Sequence, residues 1–173
     1  MNILLISAHD DTKSFVAALQ NSALSVLERT ENKIIVTDLY SQSFNPVASM
    51  LDFKTSSGTH ANYMFEQQRA VNIGNGFSPD IEAEMQKVKD ADMIIIHFPL
   101  WWGNVPAILK GWLDRVLAMG FAWDSDNRYE KGLMKGKKVL LVVSSGDPES
   151  YYGSDGMHKA TVSQHIYGLT HGT

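Results

Sequence analysis

Short apolar runs that end in polar loops alternate, along this chain, with stretches whose apolar residues recur every three or four positions. Ile3 to Ser7 is the first run, short and continuous as a parallel strand buried on both faces is. Ser14 then stands where a helix cap belongs, and Val16, Leu19, Ala23, Val26 and Leu27 follow at helical spacing. Lys33 to Leu39 (KIIVTDL) predicts a second strand, Ile81 to Ala91 a helix, and Met93 to Phe98 (MIIIHF) a third strand. Pro106 to Met119 predicts a helix opened by proline in its first turn, and Val139 to Ser145 (VLLVVSS) a fourth strand.

Strands that alternate with helices specify a parallel, doubly wound α/β sheet, with right-handed crossovers placing helices on both faces. Ligands of such sheets bind outside the carboxyl ends of the strands, where the strand order reverses. That rule selects the loops at residues 8–15, 99–105 and 144–153. Two features break the regularity. Residues 40–80 make a connection of about forty residues where ~2–6 are usual in α/β units. Phe44, Phe53, Tyr63, Phe65 and Phe77 make it too aromatic for a flexible linker. The chain also stops at Thr173 without a fifth strand, which predicts an exposed edge on the fourth. Either a partner subunit covers that edge or the natural chain is longer.

Composition narrows the class. A length of 173 residues, 44% hydrophobic and 20% charged, fits one globular domain over residues 1–173. The net charge of −4 argues against nucleic acid as a partner. No run approaches the ~20 apolar residues of a membrane span, and the N-terminus lacks the pattern of a secretory leader. Zero cysteines exclude disulfides and thiolate chemistry and fit a cytoplasmic setting. The six histidines show no paired metal spacing, so no metal is assigned.

The three loops carry the candidate chemistry. The first, from Ser7 to Phe15, lacks GxGxxG and the Walker lysine pattern, which removes the main support for nucleotide sites of those kinds. Its hydroxyls and helix N-terminus suit a phosphate, or it is an ordinary capped turn. The second loop holds Trp101 and Trp102 beside Gly103. The pair suits a wall for a flat conjugated ring; alternatively one ring belongs to the core and the other packs on the long excursion. The third loop offers Ser144, Ser145 and Gly146 as donors at a strand end, followed by Tyr152 and His158. A phenol and an imidazole together can stabilise or protonate a developing anion, or both are plain surface residues.

The segments AHDDTKSF, DLY with FNP, SPDI, FPLWWGNVPAILKGWLDRVLAMGFAW, YEKG and SSGDPESYYGSDGMH resemble the NAD(P)H:quinone oxidoreductase family, the DT-diaphorase-like branch of flavodoxin-like proteins. They span residues 8–158, and FPLWW…VPAILKGW is highly specific. The resemblance implies a flavodoxin-like three-layer α/β/α fold that ends before its usual fifth strand. It also implies bound FAD, with FMN as an alternative, NADPH or NADH as hydride donor, a quinone acceptor and a homodimer. By motif, His9, Ser14, Phe15 and Val16 contact the nucleotide part of the flavin. Leu100, Trp101, Trp102 and Gly103 line its ring, with Ser144, Ser145, Gly146 and Asp147 along the polar edge. Tyr152 and His158 match the catalytic pair, Tyr152 also touching the cofactor, while Trp123, Asp124 and Ser125 fall at the substrate segment.

Three of these positions depart from the family pattern. Val16 replaces a usual asparagine, so only its backbone carries over; Asp147 replaces a second glycine; Ser125 stands where an aromatic is frequent. The implied reaction is two hydride transfers at one site, in ping-pong order. Two rivals stand beside it: a regulatory oxidoreductase attached to a membrane potassium-efflux system, and a flavodoxin-like FMN electron carrier.

Overall fold

The computed structural model describes residues 1–55 and 62–172. Four parallel strands, β1 (Asn2–Ser7), β2 (Lys33–Asp38), β3 (Met93–Pro99) and β4 (Lys138–Ser144), form one sheet in the order β2-β1-β3-β4. Each predicted strand is present, with ends shifted by a residue or so. Successive residues of β1 and β3 are buried on opposite faces. Leu4, Ile6, Ile94 and Ile96 belong to the larger core, Ile3, Leu5 and Ile95 to a smaller one. Helix α1 (Phe15–Leu27) covers the smaller core through Leu24 and Leu27. Helices α3 (Pro79–Asp90) and α4 (Ala107–Val116) cover the other face with Ile81, Met85, Val88, Leu109, Trp112 and Val116. Helices on two faces of a parallel sheet complete the three-layer α/β/α architecture.

The strand order reverses between β1 and β3, which both leave the sheet at the same end. The Ala8 N–H donates to the His97 carbonyl at 3.0 Å, so the first loop starts pinned to the neighbouring strand. Leu100 donates to the Ser144 carbonyl at 2.7 Å, tying the second loop to the third in the same way. Among the described residues β4 pairs only with β3, and Val139 and Leu140 at its start are exposed.

The long excursion is not bare loop. It contains a 3-10 turn over Met50–Asp52, helix α2 (Tyr63–Ile73) and an antiparallel bridge between Phe53 and Phe77; residues 56–61, which include His60, lie outside the described residues. Phe44, Phe53 and Phe77 are buried in the main core rather than offered to a partner, and only Phe65 among its phenylalanines is exposed. The fastening point is Arg115 of α4. Its guanidinium donates to both oxygens of Asp52 (3.1 and 2.9 Å), to Asp80 (3.0 Å) and to the Asn45 carbonyl (2.7 Å). Burial alone would discourage its charge, but the Asp52 and Asp80 carboxylates hold the guanidinium above the usual arginine value. Gly111 makes the close approach possible, since a Cβ there would sit 2.2 Å from the Pro46 carbonyl oxygen. The short helices α5 (Val162–His165) and α6 (Tyr167–Gly172) follow the third loop.

Candidate active site

The three loops converge at the carboxyl edge of the sheet. In the first, Ser14 caps α1 by accepting from the Ala17 N–H at 3.1 Å. With that donor used, the first-turn amides of Phe15 and Val16 remain for an anion, because helix-start N–H groups have no acceptor within the helix. Val16 itself is buried, so only its backbone faces the loop, whereas the Phe15 ring is 69% exposed. His9 Nδ1 lies 3.0 Å from the Asp11 amide nitrogen, whose N–H it accepts, and 3.3 Å from the Asp10 carboxylate. Its ring meets Trp101 edge-on at 5.7 Å, joining the first loop to the second.

Trp101 and Asn104 bond reciprocally, N–H to carbonyl, at 2.9 and 3.0 Å. The two residues between them therefore form a tight hairpin turn, and both have positive φ: Trp102 at +51° and Gly103 at +69°. Glycine takes that conformation freely; tryptophan takes it at a cost of about 1 kcal/mol. The strained indole is fully exposed, and Trp101 is 43% exposed, so neither ring is a core residue. Large aromatic surface held out in a strained backbone is what binding sites retain and packing does not explain. Leu100 packs at the edge of the main core beneath them.

The third loop is a closed polar circuit. The Asp147 N–H donates to the Ser145 hydroxyl at 3.1 Å, and that hydroxyl shares a 2.6 Å bond with the Tyr152 phenol. The rings of Tyr152 and His158 lie 4.9 Å apart, and His158 Nε2 meets the Asp147 carboxylate at 3.0 Å. Ser144 is the last residue of β4, and Gly146 faces open space with no φ that requires glycine. None of the described residues demands a missing side chain at Gly146, so the room beside it is available to a ligand.

A further residue joins this group without having been singled out in the sequence. His165 of α5 approaches Tyr152 and His158 edge-on at 6.0 and 5.9 Å. A Cβ on Gly103 would lie 2.9 Å from its Nδ1, so His165 ties the third loop region back to the second. Its Nε2 is buried without a hydrogen-bond partner among the described residues. No spacing rule pointed to it, because it reaches the site from a separate short helix.

The segment expected to meet substrate sits to one side. Trp123 donates from Nε1 to the Leu117 carbonyl at 3.1 Å, and the Arg128 guanidinium lies over its ring. Asp124 is committed to its own loop, accepting from the N–H groups of Asp126 and Asn127 and from the Asn127 side chain. The Asn127 side-chain bond and then the Asp126 amide hold its carboxyl below the usual range. Ser125 is exposed beside it. Trp123, Asn104 and His165 line one cavity of about 940 Å³ between α4, the 122–137 segment and α5–α6, which connects this segment with the loop cluster. Among the described residues no group of His, Asp and Glu comes together as a metal site.

A β2-β1-β3-β4 parallel sheet, with its loops gathered at the β1/β3 switch point, defines a flavodoxin-like α/β protein. Residues 1–172 match the family model described as having a flavodoxin-like fold. The chain is 38% identical over 173 residues to human ribosyldihydronicotinamide dehydrogenase (quinone), covering 99% of this chain and 74% of that protein. It is 37% identical over 156 residues to rat NAD(P)H dehydrogenase (quinone) 1, covering 90% of this chain and 57% of the relative. A candidate quinone reductase of Klebsiella pneumoniae superposes with a TM-score of 0.91 at 32% identity, over 99% of this chain and 69% of that one. The chain therefore belongs to the flavodoxin-like NAD(P)H:quinone oxidoreductase family, and it spans little more than half the length of the rat relative.

Proposed function

We propose that this chain carries the cofactor and catalytic loops of a flavin-dependent NAD(P)H:quinone oxidoreductase. The observation that carries the reading is the convergence of an exposed, strained Trp102 with the Ser145–Tyr152–His158–Asp147 circuit at the sheet's switch point. These residues fit a flavin. The Phe15 and Val16 amides, with His9 and Ser14, suit its phosphates. Leu100, Trp101, Trp102 and Gly103 suit its ring, and Ser144, Ser145, Gly146 and Asp147 its polar edge. We take FAD as the cofactor, with FMN the alternative. Bound flavin supplies hydride transfer from NADPH or NADH to a quinone. The chain supplies orientation and proton handling: Tyr152 and His158 donate hydrogen bonds where negative charge develops, and Trp123 with Ser125 borders the acceptor. Asp124 lies between them, its Oδ1 holding the turn through the Asp126 and Asn127 N–H groups, and we place it at the same border.

We also propose a homodimer in the cytoplasm. The support is an apolar surface on the excursion, where Met50, Leu51, Met64 and Phe65 are exposed and Met50 and Met64 line the 940 Å³ cavity. No helix of the described residues is long and apolar enough to cross a membrane. The test is direct. The purified protein is incubated with FAD and with FMN, and its absorption spectrum is recorded. NAD(P)H oxidation is then followed with menadione as acceptor. A protein that stays colourless with both flavins refutes the proposal, and light scattering that shows an active 19.2 kDa monomer refutes the dimer.

A further inference from the structure

We propose that Asp147 is a positioning residue for His158, holding the imidazole with its proton on Nε2 so that Nδ1 is the nitrogen that exchanges a proton during turnover. This rests on the quinone-reductase reading of the site. The carboxylate oxygen lies 3.0 Å from His158 Nε2, and an ionised carboxylate only accepts, so the nitrogen facing it must carry the proton. Asp147 is itself fixed: its own N–H is spent on Ser145, whose hydroxyl is bonded to the Tyr152 phenol. The Tyr152 and His165 rings flank His158 at 4.9 and 5.9 Å, and Tyr151 meets it edge-on at 6.0 Å. Rings on several sides restrict the plane of the imidazole, and the carboxylate selects which nitrogen faces it. An acid–base histidine is effective only when the correct tautomer faces the reacting atom, which is the service a carboxylate partner performs. The family pattern has a glycine at this position, so this chain has its own means of orienting the ring. The proton count closes. NAD(P)H contributes the hydride with its electron pair; Nδ1 takes one proton from solvent to give the imidazolium, passes it to the acceptor oxygen that would otherwise be anionic, and His158 returns to the neutral ring with its proton on Nε2.

The experiment uses the whole chain labelled with ¹⁵N-histidine and free of flavin, with His158 assigned by comparison with His158→Gln. The expected result is a His158 Nε2–H resonance shifted downfield and protected from exchange, lost in Asp147→Ala and partly kept in Asp147→Asn, whose amide oxygen still accepts. In the flavin-loaded protein Asp147→Ala should lower kcat about tenfold with KM unchanged. That is the low end of what losing a histidine's orienting partner costs at metal sites, because this pair is partly exposed. Asp147→Asn should recover part of the rate. The proposal is overturned if Asp147→Ala leaves the resonance unchanged, if wild-type His158 carries its proton on Nδ1, or if the resonance is lost with kcat unaltered. A wild-type protein that shows the resonance but reduces no quinone overturns the proposed function instead, with the Asp147–His158 pairing intact.

Discussion

Replacing Arg115 by methionine should destabilise the protein by about 3–4 kcal/mol. The perturbation removes the charge and its donors while keeping an unbranched chain to pack near Phe44, which the guanidinium now covers at 5.1 Å. Arg115 and Asp52 are almost fully buried, so the orphaned carboxylate cannot turn to water. Breaking a buried pair from one side costs ~3–5 kcal/mol. Two local effects pull in opposite directions. The Tyr63 phenol at 2.6 Å and the Ser49 N–H at 3.2 Å still donate to Asp52, which softens the loss. The Asn45 carbonyl loses its donor, adding up to ~1–3 kcal/mol if no water reaches it. Asp80 is half-exposed and rehydrates, contributing little. Thermal unfolding is the assay, and at ~2–4 °C per kcal/mol for a chain of this size the midpoint temperature should fall by roughly 6–16 °C. Adding Asp52→Leu should restore part of the loss, since it removes the stranded charge although the Tyr63 phenol and the Ser49 N–H then lose their acceptor. A single-mutant loss under about 1 kcal/mol, the size of a surface pair, would refute the reasoning.

Trp102→Gly should stabilise the flavin-free protein by about 0.5–1 kcal/mol by relieving the positive φ. It should also weaken flavin binding at least about tenfold through loss of the ring contact; urea midpoints and flavin fluorescence titration report the two effects separately. His97 is buried on β3 with Nδ1 unpartnered among the described residues, and burial holds its pKa below the ordinary value. Above about pH 6.5 both folded and unfolded states are neutral there, but as pH falls through that value only the unfolded state gains the proton, so stability declines. His97→Gln should flatten the loss of the urea midpoint between about pH 7.5 and 5.5, and equal slopes in the two proteins would contradict the assignment. Tyr152→Phe and His158→Gln should each slow bleaching of the flavin band by NAD(P)H about tenfold, less than additively in the double variant. Anaerobic stopped-flow absorbance isolates the step, and wild-type rates in the double variant would remove both from the catalytic role.

The pattern of apolar runs by itself determined the four strands, α1, α3 and α4, because each is a local period matched to one geometry and a parallel sheet with short crossovers leaves few alternatives. It also marked the three loops, since the carboxyl-end rule depends on strand order alone. What it could not determine was decided by contacts between segments distant in the chain. Glu84 lies on an ordinary helix pattern, yet its carboxylate is buried, accepting from Trp112 Nε1 at 3.0 Å and pairing with Lys87. The excursion read as too aromatic for a flexible linker, but only the structure shows Arg115 of α4, Asp52 and Asp80 drawing it down so that Phe44, Phe53 and Phe77 complete the core. Periodicity along one segment carries no information about a partner 63 residues away. The same holds at the site, where Tyr152, His158 and Asp147 are near neighbours in the loop but His165 arrives by way of α5. Whether Trp101 and Trp102 belonged to the core or to a ligand depended on a two-residue turn with positive φ, a backbone state set by the Trp101–Asn104 hydrogen bonds rather than by side-chain type.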